Sequence, residues 1–508
     1  MQEHFVRPCI GAMRYYPRDM KLPILLTTTL LLTHLAHLSA AELKLAALFS
    51  DHMVLQREKP VSVWGWADAD EKLTVEFGGQ KKAAAADANG KWQVRLDPLP
   101  ASAEPRTLLV QSAKLERKIE VNDVLVGEVW LGSGQSNMAM RVSGAQDFAT
   151  EKAAADFPAI RTFNEVSKNS TTLQADGSGK WEVCSPETVG AFSATLYFFG
   201  REVHRELNVP VGLINSSVGG TPIEAWIAAD VQNPEHGVAA PQTPDAVEAV
   251  PNPVPKRPAA AAKATTGGLF NGKIAPLIPY TLRGVLWYQG EANSHPGKSH
   301  AYQKLLPMLV NDWRKRWNEE LPFAWVQLPN FNREGEGWSV VREAMLKTLR
   351  LPNTGMAITV DIGEATNIHP KNKQEVGRRL SLWALGSVYG KKVPAISGPL
   401  PTGHEVKGAE ISVAFNHTDG GLVAKDGELA GFVVAGSDKE WKPARAKISG
   451  SKVIVSSAEV ANPVAVRYAW APNPVCNLFN GAGLPASPFR TDDWPADESA
   501  PKHPASAK

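Results

Sequence analysis

From Leu43 to about Asn122 the chain alternates apolar and polar positions in short runs: Val61–Trp66, Leu73–Phe77, Trp92–Leu96, Thr107–Gln111 and Lys118–Val121. Turn residues such as Asp87-Ala-Asn-Gly90 separate them. A period of two with frequent turns predicts a small antiparallel β-sandwich over 42–122. At Val124 the texture changes. The stretch from Val124 begins as an apolar run that reads as a buried strand, breaks at Gly132-Ser133-Gly134 and puts Ser136 where a helix begins.

Further strands are expected at Val211–Ser217, Leu282–Tyr288, Phe323–Leu328 and Met356–Asp361, and helices at Phe192–Leu207, Tyr302–Trp317 and Lys373–Tyr389. This alternation predicts an α/β fold with a parallel sheet over 123–392. Residues 231–268, rich in Pro and Ala, interrupt it and read as an extended surface insert. Beyond Val393 β-type patterning returns, as in Glu410–Phe415 and Lys452–Ser456, so 393–494 is expected to be a β-rich region. The Pro-, Ala- and Ser-rich tail, 495–508, is expected to fray.

Composition bounds what such a chain does. At 508 residues it exceeds one ordinary core, and 43% hydrophobic content suffices for full interiors. Lys+Arg 54 against Asp+Glu 52 gives no electrostatic case for a nucleic-acid or anionic-membrane partner. The 15 tryptophans fit sugar-binding faces or β-cores, and for Trp64 and Trp66, on period-two strands, core packing is expected.

The first 41 residues read as a targeting segment: Met20-Lys21 opens the apolar run Leu22–Leu38, which closes on Ser39-Ala40-Ala41. Met1–Asp19 lacks signal character, so Met20 is a candidate start. The run is too short and too interrupted by Thr and His for a membrane span, which points to a secreted or periplasmic protein with no span after signal cleavage. Cleavage would remove Cys9, leaving Cys184 and Cys476; two distant cysteines make no disulfide framework, and free and paired states both remain open.

The candidate chemistry collects at the carboxyl ends of the expected parallel strands, where an open α/β sheet binds ligands. Ser136, Gly219-Gly220 and Gln289-Gly290-Glu291 occupy three such loops, and His369 lies on a fourth, after Asp361. Acyl transfer needs a hydroxyl, a base to take its proton and donors for the oxyanion. A serine on the first helical turn supplies the hydroxyl and an unpaired backbone N–H. Blander roles also fit: Ser136 as a helix N-cap, His369 as a loop residue before Pro370, and Asn137 and Glu291 bonding their own loops. No metal or cofactor is expected. The chain has no H-E-x-x-H or paired C-x-x-C, and Gly132-x-Gly134 is not followed by the Lys-Ser/Thr of a phosphate loop.

Gly134-Gln-Ser136-Asn-Met138 lacks the second glycine of the G-x-S-x-G elbow. Together with Gly219-Gly-Thr-Pro-Ile-Glu-Ala-Trp226, Trp287-Tyr-Gln-Gly-Glu-Ala-Asn293 and Ile368-His-Pro370, it resembles the blocks of the sialate O-acetylesterase family within the SGNH hydrolase superfamily. The resemblance extends to Asp51-His-Met-Val-Leu-Gln56 and to Asn473 through Trp494. It implies an SGNH-like three-layer α/β fold, flanked by the smaller β-regions, and a secreted carbohydrate O-acetylesterase. Ser136 would be the nucleophile and His369 the base, with an oxyanion hole of the Ser136 N–H, a glycine of Gly219-Gly220 and the Gln289 amide; Asn137 and Glu291 would shape the substrate site.

In one respect the chain departs from that pattern. The superfamily usually carries aspartate three residues before its histidine, where this chain has Thr366. Asp361 or Glu364 would then orient His369, or a backbone carbonyl would, leaving a Ser–His dyad. The expected partner is a small-molecule or polysaccharide acetyl ester, on sialic acid or on xylan or another polysaccharide. The alternative outside enzymology is an exported carbohydrate-binding protein. Oligomeric state is not legible.

Overall fold

The apolar run before Ser136 folds as part of one long strand, β1 (Lys118–Gly134), in a computed structural model that describes residues 42–113, 117–232 and 265–496. The expected targeting segment, most of the Pro/Ala-rich stretch and most of the C-terminal tail lie outside those residues. The expected boundary at 122/123 falls inside β1. Its first half pairs with Ser102–Ser112 of the N-terminal β-region, and its second half is the centre of the α/β sheet.

Around β1 stand β2 (Phe157–Glu165), β3 (Gly179–Cys184), β4 (Val211–Ser217), β5 (Gly284–Tyr288), β6 (Phe323–Val326) and β7 (Thr354–Ala357), in the order β3-β2-β4-β1-β5-β6-β7. All neighbours are parallel except the edge pair β3/β2. The helices that flank this sheet or carry its loops include the single turn α1 (Ser136–Ala139), α2 (Ala194–Leu207), α3 (Tyr302–Trp317), α4 (Gly337–Thr348) and α5 (Lys373–Trp383).

Both faces of this sheet are apolar, as a covered parallel sheet requires. Trp130, Leu286 and Ala324 pack with Phe198 and Phe199 of α2 and Leu380 and Trp383 of α5. Their chain neighbours Leu131, Trp287 and Trp325 point the other way, among Trp313 of α3 and Met345 of α4. Tryptophan is spent on that second core: Trp287 meets Trp226 and Trp313 edge-on at 6.0 Å. Each buried aromatic ring removes about 150–250 Å² from water, or roughly 4–6 kcal/mol gross at ~25 cal/mol per Å². Trp64 belongs to the same core and Trp66 packs at its edge, so packing accounts for both.

The N-terminal strands match the expected runs, Val61–Trp66 residue for residue. Strands at 400–416 and 445–456 form a separate four-stranded sheet in the C-terminal β-rich region. Cys184 and Cys476 are both free thiols. Burial pushes Cys184 up to about 12 and Cys476 to about 11. Among the described residues no helix is long and apolar enough to cross a membrane.

Candidate active site

Register brings the loops together. Gly134, the last residue of β1, is aligned with Ser217 of β4 on one side and Tyr288 of β5 on the other. The three chains therefore leave the sheet side by side. Gln135 N donates to Tyr288 O at 2.9 Å, and Val218 N to Gly134 O at 3.1 Å. Gly134 has φ +132, and a Cβ there would lie 2.2 Å from Tyr288 O, so only glycine permits this crossing.

Ser136 opens α1 as its first helical residue, behind Gln135 at the N-cap. Its hydroxyl caps nothing; Ser136 Oγ lies 2.8 Å from Nε2 of His369, across 233 residues of chain. A single helical turn leaves its carbonyls without intrahelical partners. The start of α2 supplies them: Ser193 Oγ donates to Met138 O at 2.6 Å, Thr195 Oγ1 to Asn137 O at 3.3 Å and Ala194 N to Met140 O at 2.8 Å. The Ser136 turn is thereby fixed to a long helix.

His369 is held through its backbone. Asn367 Oδ1 accepts from His369 N at 3.0 Å, and Asn367 Nδ2 donates to His369 O at 2.9 Å. Burial, and after it the Lys373 charge, holds the imidazole below its ordinary value, which keeps it neutral and able to accept a proton.

Neither carboxylate expected to orient His369 reaches it. Asp361 forms a fork with Arg379, Oδ1 to Nη1 at 2.6 Å and Oδ2 to Nη2 at 2.8 Å. Glu364 accepts from Lys371 N at 2.7 Å and Asn367 Nδ2 at 3.1 Å, and the Lys371 bond leads the causes that hold its carboxyl low. Among the described residues no carboxylate hydrogen-bonds the imidazole.

Gly219 packs against Ser136, where an added Cβ would meet Ser136 Cβ at 3.4 Å. Gly220 has φ +72. Among the described residues nothing accepts from either N–H. Gln289 is beside them but does not present a free donor: its Nε2 gives to Asn293 Oδ1 at 2.7 Å and Thr221 O at 3.2 Å, while Tyr302 Oη donates to its Oε1 at 2.9 Å. Asn293 in turn accepts from Ile223 N at 2.9 Å and donates to Glu224 Oε2 at 2.9 Å. Gln289 and Asn293 thus rivet the glycine loop to the β5 loop.

Sequence reasoning missed Lys373. Its Nζ is wholly buried and donates to Asn137 Oδ1 at 2.7 Å and Pro370 O at 2.8 Å. Asn137 Nδ2 donates to Glu291 Oε1 at 2.5 Å and to Ile368 O at 2.9 Å. Glu291, Asn137 and Lys373 therefore form one buried chain that grips the residues on both sides of His369. Burial lowers Lys373 to about 7, against the pull of Glu291, and raises the Glu291 carboxyl, whose Oε2 has no partner. The position of Lys373 at the head of an expected helix, three residues past Pro370, was the one available signal. No cluster of three or more His, Cys, Asp or Glu suits a metal among the described residues.

A serine hydroxyl on a neutral imidazole, beside unpaired amides at the rim of a parallel sheet, is the equipment of a carboxylic ester hydrolase. Residues 126–384 match the family model for carbohydrate esterases, sialic acid-specific acetylesterases, and the chain belongs to that family. It is 28% identical to rat sialate O-acetylesterase over 92% of this chain and 97% of the relative. It is 29% identical to the human sialate O-acetylesterase over 90% and 94%. Among solved structures it resembles a carbohydrate acetylesterase from Xanthomonas citri, with 37% identity and a TM-score of 0.80 over 89% of this chain and all of that one.

Proposed function

We propose that this carbohydrate acetylesterase is a secreted or periplasmic enzyme of three-layer SGNH type that removes O-acetyl groups from sialic acids through a Ser136–His369 dyad. The observation that carries this reading is the 2.8 Å contact between Ser136 Oγ and His369 Nε2. Ser136 Oγ attacks the acetyl carbonyl and its proton passes to Nε2. The oxyanion meets the N–H groups of Ser136 and of Gly219 or Gly220, whose loop Gln289 and Asn293 brace. The imidazolium then protonates the departing sugar oxygen. A water, deprotonated by the same nitrogen, attacks the acetyl-serine and releases acetate. The fork between Asp361 and Arg379 and the backbone bonds of Asn367 favour a dyad positioned by its main chain.

An active-serine phosphonate probe and an acetate-release screen over acetylated sialic acids, xylans and pectins test this together. Wild type should label and Ser136→Ala should not, with folding unchanged by circular dichroism. Labelling retained in Ser136→Ala removes that serine from the mechanism; acetate released from xylan alone moves the substrate to plant polysaccharide.

A further inference from the structure

At the rim of this site one guanidinium is left without a carboxylate. Arg333 lies on the loop after β6, half-buried, its guanidinium carbon 5.7 Å from the ring centroid of Trp338. Its Nη2 stands 2.8 Å from Nδ1 and 3.1 Å from Nε2 of His295. Those are its polar contacts among the described residues, which leaves most of its five N–H donors unused. Other buried arginines here are satisfied. Arg379 and Arg467 meet carboxylates, and Arg342, which meets none, donates to the carbonyls of Leu328, Pro329, Ala471 and Pro472.

The loops tie this cation to the framework that holds Ser136 and His369. His295 follows Glu291 on the β5 loop, and Glu291 is bonded to Asn137, the neighbour of Ser136. The Arg333 loop is tied to the loop that carries His369: Asn330 Oδ1 accepts from Gly363 N at 2.7 Å, and Asn332 N donates to Ala365 O at 2.8 Å. Arg333 is near enough to Glu291 for each to bias the other's titration.

Its chemistry is that of a preorganised anion receptor. Trp338 is buried and anchored by its Nε1 donating to Pro329 O at 2.8 Å, so the face against which the guanidinium rests is fixed. A guanidinium only donates, so one of the two His295 nitrogens within its reach is an acceptor and the ring is neutral. Burial, then Arg333 and Lys298, hold that ring below its ordinary value, and Lys298 adds a second positive charge nearby.

We propose that Arg333, with His295 and Lys298 beside it, forms a carboxylate-binding subsite that holds the acid group of an O-acetylated sugar acid while its acetyl ester lies at Ser136. A planar fork binds a planar carboxylate with two parallel hydrogen bonds, which supplies orientation as well as attraction. A neutral acetylated sugar leaves that fork empty. This inference rests on the esterase reading above and adds to it the basis for choosing acidic over neutral sugars.

The test measures acetate release from three compounds: an O-acetylated sialic acid, its carboxyl methyl ester and p-nitrophenyl acetate. Wild type should favour the free acid over its methyl ester by about 10-fold or more in kcat/KM, carried by KM, since the ester cannot receive the charge-assisted fork. Arg333→Gln should erase that preference and leave p-nitrophenyl acetate within about twofold; Arg333→Lys should keep part of it. Equal wild-type rates on acid and methyl ester overturn the subsite, as does an Arg333→Gln loss shared by all three compounds. A wild type that cleaves p-nitrophenyl acetate but not the sugar acid also overturns it, with the serine chemistry left standing. Failure to cleave any of the three overturns the esterase reading itself.

Discussion

Asn137 Nδ2 donates to Ile368 O at 2.9 Å, so the residue after Ser136 holds the residue before His369. The same amide reaches Glu291 at 2.5 Å and accepts from Lys373 at 2.7 Å. The separation of Ser136 and His369 is thus set by a side chain that takes no part in bond making. In a dyad whose imidazole has no carboxylate to orient it, this is where positional precision has to come from.

Asn137→Ala should therefore act on the chemical step. It strands a buried carboxylate and a buried ammonium, each worth about 1–3 kcal/mol or more of stability. The expected result is a kcat lower by about 100-fold with KM nearly unchanged, and a lowered melting temperature. A changed KM with kcat preserved would place Asn137 on the substrate instead.

Asp361→Asn and Glu364→Gln should separate stability from catalysis. Asp361 answers the buried Arg379, so its loss leaves that guanidinium short of a partner and should cost about 3–5 kcal/mol on denaturant unfolding. Turnover of the folded fraction should stay within a few-fold of wild type for both variants. His369→Ala should lose about 10⁴-fold or more. A carboxylate variant that loses as much as His369→Ala would reinstate a triad.

Much of this arrangement was legible because period and chemistry coincide. Val211–Ser217 and Tyr302–Trp317 are the elements their patterns announce, and Ser136, Gly219 and His369 fall on strand-end loops. What was not legible depends on which partner wins a side chain. Asp361 is next to the His369 loop in sequence, yet the rigid fork of Arg379 claims it. Gln289 carries a suitable amide, but Asn293 and Thr221 occupy it. Helix α4 was absent from the expected elements because Gly337-Trp-Ser-Val-Val is apolar on most sides, as suits a helix between the sheet and the C-terminal β-region. The 122/123 boundary followed a real change of texture, but the backbone carries one strand straight through it.

Gln289→Ala should show whether the oxyanion donors are backbone groups. The substitution frees Asn293 Oδ1 and Thr221 O and loosens the Gly219-Gly220 loop without removing a donor from the reacting oxygen. The expected loss in kcat is about 10-fold, with a stability loss of about 1–3 kcal/mol. Direct removal of an oxyanion donor costs about 10²–10³-fold. A loss in that higher range with stability intact would return the Gln289 amide to the oxyanion hole.

Lys373→Met should move both the pH–rate profile and the pH–stability profile. The Lys373 charge is the second cause, after burial, of the lowered His369 value. Removing it lets the imidazole hold its proton to higher pH, so the acid limb of kcat/KM should shift upward towards about 6.5. For stability, Lys373 goes from 10.5 when unfolded to about 7 when folded. Between those values the unfolded chain binds more protons at this site, so stability rises with pH across the window and is lost again as pH falls through about 7. The variant should lose that rise, and because Asn137 Oδ1 and Pro370 O are left without their donor it should be less stable by about 1–3 kcal/mol above pH 7. Denaturant midpoints at several pH values between 6 and 10, with kcat/KM profiles of both proteins, measure this. An unmoved acid limb would mean that burial alone sets the imidazole, and Lys373 would then be a tether for Asn137 and Pro370 only.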